Sequence, residues 1–179
     1  MKQHGPWQIV KLHEVYRDPW LNVRKDDVIR PDGQSGTHSV VNLKPGVCVL
    51  AIDDQNHVYL TEEFYYGVGR VTVEAVSGGI EPGDGSLETA KRELQEELGI
   101  EAEQWIDMGV LDPFTTSVVS PTQLYLARNL RFGNQSLEGT ELIRCVKMTL
   151  AEAVNKVLDS EITHGPSCVV ILKAAMRSS

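Results

Sequence analysis

The chain has 179 residues, 41% of them apolar and 23% charged, with a net charge of −8. That length suits an ordinary domain whose core needs no disulfide staples, and an acidic balance without any basic run excludes a nucleic-acid partner. No apolar run approaches the roughly 20 residues of a membrane-crossing helix, and the polar stretch Met1 to Val10, which contains Pro6, is not expected to be a signal peptide.

In chain order, short strands come first. Val23 to Arg30 is one, ended by the turn Pro31-Asp32-Gly33. Val40 to Leu43 is a second. Gly46 to Ile52 and His57 to Phe64 face each other across the polar turn Asp53-Asp54-Gln55-Asn56, and Val71 to Val76 is a further β-branched run. The period then changes. Leu87, Ala90, Leu94 and Leu98 recur at helical spacing, with Ser86 as N-cap and Gly99 as the stop. Strands return at Trp105 to Leu111, Leu124 to Ala127 and Ile143 to Met148. Thr149-x-x-Glu152 is a capping box opening a helix to Leu158. Gly165-Pro166 breaks the chain, and Ser167 to Met176 forms a last apolar helix. This order predicts an α+β fold. Cys48, Cys145 and Cys168 are widely spaced, odd in number and set among apolar neighbours. Buried reduced thiols and a cytoplasmic compartment are the expectation.

The chemistry concentrates on Arg92-Glu93-Leu94-Gln95-Glu96-Glu97-Leu98-Gly99. On a helix Glu93 and Glu97 lie about 40° apart, one turn above each other, beside the apolar stripe. Like charges at that spacing destabilise a bare helix. They call for a cation or for full exposure, and a solvated acidic face is the plain alternative. Mg²⁺ prefers carboxylate oxygens and bridges to substrate phosphates, which would let an acidic protein accept an anionic substrate. Arg92 can pair with one carboxylate and fix its direction. The preceding segment, Gly78-Gly79-Ile80-Glu81-Pro82-Gly83-Asp84-Gly85, is a glycine-rich loop that lets backbone approach a ligand.

Gly78, five residues, Asp84, seven residues, then Arg92-Glu93-Leu94-x-Glu96-Glu97-x-Gly99-Ile100 resembles the signature of the Nudix hydrolase family. Asp84 stands where the family has Glu. The resemblance implies an α/β/α sandwich around a mixed sheet and hydrolysis of a nucleoside diphosphate linked to another group. It implies Mg²⁺, or Mn²⁺ in its place, held by Glu93 and Glu97 with Glu96 in support and the backbone carbonyl near Ser77 completing the set.

More weakly, the resemblance extends over most of the chain to the ADP-ribose pyrophosphatase branch. Val15-Tyr16-Arg17 and Val28-x-x-Pro31-Asp32-Gly33 are similar to its N-terminal strands, and Glu74-Ala75-Val76-Ser77-Gly78-Gly79 to its entry into the signature. By this resemblance residues 1–45 are an N-terminal strand extension that makes a homodimer, and residues 46–179 are the catalytic domain. Glu138 and Glu141 fall where the branch has an acidic loop with a catalytic base. Glu141 is placed first because it abuts the strand near Ile143. There are departures. Glu63-Phe64-Tyr65 replaces the branch's Gln-x-Arg, which leaves Arg70 as the nearby arginine. Ser117-Val118-Val119-Ser120 replaces its Ser-Pro-Gly, and Val76 its proline. Candidate substrate contacts are Glu74, Arg70, Tyr65 and Trp20, with packing as the alternative for Tyr65 and Trp20. His164, at a helix entry, reads as structural. Other nucleotide sugars and dinucleotides are alternative substrates, and a nucleotide-binding regulator without turnover is the alternative class.

Overall fold

The computed structural model describes residues 1–137, 139 and 142–178. The strands are β1 (Lys2–His4), β2 (Trp7–Arg17), β3 (Leu21–Ile29), β4 (Ser35–Leu43), β5 (Gly46–Ile52), β6 (His57–Tyr65), β7 (Arg70–Glu74) and β8 (Val76–Gly79). Helix α1 (Ser86–Leu98) follows, then β9 (Ile100–Leu111), β10 (Val118–Val119), β11 (Thr122–Phe132) and β12 (Arg144–Thr149). Helices α2 (Leu150–Leu158) and α3 (Gly165–Ser178) end the chain.

Two compact units form. The smaller takes Met1–Lys44 and Asp112–Pro121. Its sheet has the order β1-β2-β3-β4-β10, antiparallel except for β10, which runs parallel to β4. The turn at Pro31-Asp32-Gly33 forms as expected, with Gly33 at φ 81 and closed by the Arg30 and Gly33 amides.

The larger unit takes Pro45–Leu111 and Thr122–Ser179. Its sheet has the order β12-β6-β5-β11-β9 and is mixed, because β11 runs parallel to β5 while its other pairs are antiparallel. Strand β5 is buried on both faces, and its side chains alternate between two cores, as the period-2 pleat requires. Val47, Val49 and Ala51 pack with Ala90, Leu94 and Leu98 of α1. Cys48, Leu50 and Ile52 pack with Leu150 and Ala153 of α2 and with Val170, Ile171 and Ala174 of α3. This is the expected α/β/α sandwich.

The sheet's centre departs from the simple hairpin expected of β5 and β6. They pair only at Ala51–Tyr59 and Ile52–Val58. Beyond that they part, β7 pairing with β6 and β8 with β5. The single run expected over Val71 to Val76 is therefore two strands that change partner at Ala75.

Three local expectations need correction. The N-cap of α1 is Gly85, not Ser86, because the Ser86 hydroxyl pairs instead with Tyr125 Oη at 2.8 Å. Helix α3 includes Gly165 and Pro166, since proline lacks only an amide that the first turn leaves unpaired anyway. Of the three cysteines only Cys48 is buried. Cys145 is exposed and Cys168 intermediate, because β12 lies at the sheet's edge and turns one face to solvent. The capping box of α2 is formed as expected.

Gly99 ends α1 in the left-handed region at φ 65. A Cβ there would lie within 2.9 Å of backbone atoms of Gly133, Asn134 and Gln135. Gly99→Ala should therefore cost more than the roughly 1–2 kcal/mol of left-handed strain alone. Gly83→Ala, at φ 101 with no atom within 4 Å, should cost less. Urea denaturation of the two variants measures the difference.

Candidate active site

Helix α1 carries the acidic ridge because its apolar face fixes its rotation. With Ala90, Leu94 and Leu98 in the core, Glu93 and Glu97 flank the buried stripe. Glu97 is 8% exposed, and the side chains of Glu93 and Glu96 are 14% and 22% exposed. Arg92 bridges two of them, donating from Nη2 to Glu93 Oε1 and from Nη1 to Glu96 Oε2, each at 2.7 Å. Partial burial alone would lower the Arg92 pKa. The Glu93 and Glu96 carboxylates outweigh it and hold the guanidinium above its ordinary value.

Gly78 forms the other wall. A Cβ on Gly78 would sit 2.1 Å from both Cδ and Oε1 of Glu93. The Glu93 carboxylate thus rests on the glycine's Cα, a seat that any side chain would fill. The first glycine of the loop serves the carboxylate as well as any ligand.

Whether these groups fit the divalent cation implied by the signature turns on donor chemistry. Among the described residues, no three carboxylate, imidazole or thiolate groups converge on one point. The described residues alone therefore do not make an all-protein cage. Mg²⁺ does not need one, since it is commonly held by one or two carboxylates with waters and substrate phosphates. Two carboxylates one helical turn apart, Glu93 and Glu97, offer hard oxygens of the kind that requirement names. Glu96, tied to Arg92, is placed to orient the ridge.

The other expected residues divide between the two units. Tyr65, at the end of β6, is half-buried. Burial first, then the Glu74, Glu97 and Glu63 carboxylates, push its phenol well above the ordinary range, against a hydrogen bond with Thr61. Tyr65, Glu74 and Glu97 therefore share one electrostatic neighbourhood. Glu74, 7% exposed, accepts from Thr72 Oγ1 at 2.6 Å on one oxygen, and its other oxygen lies 3.1 Å from His164 Nδ1. Arg70 is exposed and donates to Thr163 Oγ1 at 2.9 Å. Ser77 lies on β8, its hydroxyl donating to the Ala75 carbonyl at 2.9 Å. Asp84 is exposed, its amide closing a turn onto the Glu81 carbonyl. Trp20 belongs to the smaller unit and is 70% exposed. Glu138 and Glu141 lie outside the described residues. Sequence reasoning did not anticipate His164 and Ser167 as partners of Glu74 and Ala75. Nothing in their spacing links positions so far apart in the chain.

The family model of the NUDIX domain matches residues 42–162, and that of the nucleoside diphosphate sugar hydrolase N-terminal domain matches residues 7–41. The chain belongs to the NUDIX family, and it is a pyrophosphohydrolase. Among its relatives, the methanol dehydrogenase activator of Bacillus methanolicus is 26% identical, over 90% of this chain and 89% of that one. An ADP-ribose pyrophosphatase of Bacillus subtilis is 25% identical over 94% and 95% of the two chains. One of Mycobacterium tuberculosis is 29% identical over 96% and 84%. A crystal structure titled as an ADP compounds hydrolase shares the fold, with a TM-score of 0.81 and 21% identity over 99% of this chain and 96% of that one.

Because the seat for Glu93 exists only without a Cβ, Gly78→Ala should displace that carboxylate. Hydrolytic activity should fall at least ~10-fold, in the range seen when a support of a metal ligand is lost, while the far-ultraviolet circular dichroism stays unchanged. Steady-state kinetics beside the spectrum check both.

Proposed function

We propose that the chain hydrolyses the diphosphate linkage of ADP-ribose or a related nucleotide sugar, with Mg²⁺ held by Glu93 and Glu97. The observation that carries this reading is the Arg92-bridged carboxylate ridge seated on Gly78, in a family whose members matched here include two ADP-ribose pyrophosphatases. The cation, when bound, supplies positive charge to the diphosphate and to the transition state. Glu93 and Glu97 would hold it, with Glu96 in support, the backbone carbonyl near Ser77 would add an oxygen, and Arg92 with Glu96 keeps Glu93 in place. Water attacks one phosphorus and the bridging P–O bond breaks. ADP-ribose would yield AMP and ribose 5-phosphate. A carboxylate of the segment 134–141, Glu141 before Glu138, would take the water's proton. Arg70 and Tyr65 would meet the substrate's phosphates and sugar.

A homodimer fits the smaller unit. Among the described residues β1 pairs with β2 only over Trp7–Ile9, which leaves the rest of that edge open to another strand. Val10, Leu12, Val15 and Tyr16 of β2 are exposed. Three free thiols fit a reducing, cytoplasmic setting.

A second reading, a NUDIX domain that regulates another protein, is favoured by the relative named as an activator. The retained Glu93, Glu96 and Glu97 favour turnover.

A hydrolysis screen over ADP-ribose, nucleotide sugars, dinucleotides and nucleoside triphosphates, with and without Mg²⁺ and with products identified, separates these readings. Cleavage of ADP-ribose or a nucleotide sugar, abolished by a chelator, is expected. Glu93→Gln and Glu97→Gln should each remove most of it in folded protein. No turnover of any compound would sink the catalytic reading.

Glu141→Gln should lower kcat by ~10²–10⁴-fold, the usual cost of losing a general base, with little change in KM. Glu138→Gln should be milder. The reverse order would move the base to Glu138.

A further inference from the structure

The chain changes sheet partner between Glu74, the last residue of β7, and Val76, the first of β8. Ala75, 1% exposed, sits in that gap between two ladders, where a buried amide must find a partner outside the sheet. It donates to the Ser167 hydroxyl of α3 at 2.8 Å. Ser167 is fully buried.

The rest of the junction is held in the same way. Thr61 Oγ1 donates to the Glu74 carbonyl at 3.2 Å, and Ser77 Oγ to the Ala75 carbonyl at 2.9 Å. His164 Nδ1 lies 2.8 Å from Ser167 Oγ and 3.1 Å from Glu74 Oε2. Thr72 takes the other Glu74 oxygen. With Arg70 bound to Thr163, the entry to α3 contacts β7 and its exit at Arg70, Glu74 and Ala75 in succession. Both Glu74 oxygens are engaged inside this network, so its carboxylate is better suited to fixing the chain than to receiving substrate.

Two residues beyond Ala75 comes Ser77, and three beyond it Gly78, the seat of Glu93. The junction therefore sets where the proposed cation's carbonyl and carboxylate stand. Groups that orient metal ligands commonly tune affinity about 10–100-fold without touching the ion.

We propose that His164 and Ser167 are positioning residues. By fixing Glu74 and the Ala75 amide they hold Ser77 and Gly78 where Glu93 and Glu97 can take a divalent cation. This rests on the metal reading of Glu93 and Glu97 given above.

The test uses the full chain with Mn²⁺ alone as probe, bound ion being counted by electron paramagnetic resonance. Circular dichroism at the assay temperature confirms which variants are folded. His164→Ala and Ser167→Ala should weaken Mn²⁺ binding about 10–100-fold, with the apparent KM for Mg²⁺ rising in step and kcat at saturating Mg²⁺ nearly unchanged. His164→Asn should restore binding, since its amide can place a donor where Nδ1 stood. If Ser167→Ala does not fold, the two His164 variants decide alone. Wild-type Mn²⁺ affinity in folded His164→Ala, with only the melting temperature lowered, would overturn the proposal. Equal losses in the Asn and Ala variants would do the same. Glu93→Gln is the control. If it binds Mn²⁺ like the wild type, the metal reading fails and the positioning role falls with it. If it loses Mn²⁺ while His164→Ala keeps it, only the positioning role fails.

Discussion

The contact between the Glu93 carboxylate and the bare Cα of Gly78 organises the larger unit's chemistry. The Glu93 side chain of α1 occupies the space that a Cβ on Gly78 of β8 would fill. Helix α1 packs with β8 in one core, through the small Ala90 and the buried Leu94 against Val76. The rotation that sends Leu94 and Leu98 inward is the rotation that leaves Glu93 and Glu97 at the margin of the core. Acid groups set there are largely withdrawn from water, and such groups persist only with partners that offset the lost hydration. Arg92 supplies part of that offset for Glu93 and Glu96.

The separation of β5 from β6 gives this contact its place. Two strands that paired along their whole length would leave no room for β7 and β8, and Gly78 would have no ladder to lie in. The parting creates a gap that β8 fills beside β5. It also creates the unladdered amide of Ala75, which α3 must satisfy. A C-terminal helix far from the signature in sequence thus becomes part of the support of the site. The two sides of the sandwich are coupled through β5, whose alternate residues face α1 and the α2–α3 pair.

The smaller unit has a different character. Many of the β2 side chains are exposed, and Asp26 is buried with one oxygen held by Arg24 at 3.1 Å. Its sheet is completed by β10, from the connection between β9 and β11. A long stretch of the chain separates the two pieces, so the unit's sheet is complete only with residues 112–121 beside β4.

What the sequence alone determined was whatever repeats within a turn or two of chain. The helical spacing of Ala90, Leu94 and Leu98, the Gly99 stop, the capping box of Thr149 and Glu152, and the continuous apolar run of β5 are local patterns. Burial follows period, so the core faces were legible. The signature from Gly78 to Ile100 was legible for the same reason, since one loop and one helix contain it. Only the tertiary structure decided which strands lie side by side. Pairing is set by backbone hydrogen bonds between distant segments, whose energy leaves no mark on the residues at either end. That is why Val71 to Val76 looked like one strand, why Cys145 looked buried on what proved an edge, and why β10 went unseen. His164 and Ser167 belong here too. Nothing near them in sequence names Glu74 or Ala75 as partners, and the need for those partners exists only once the sheet has opened between β5 and β6.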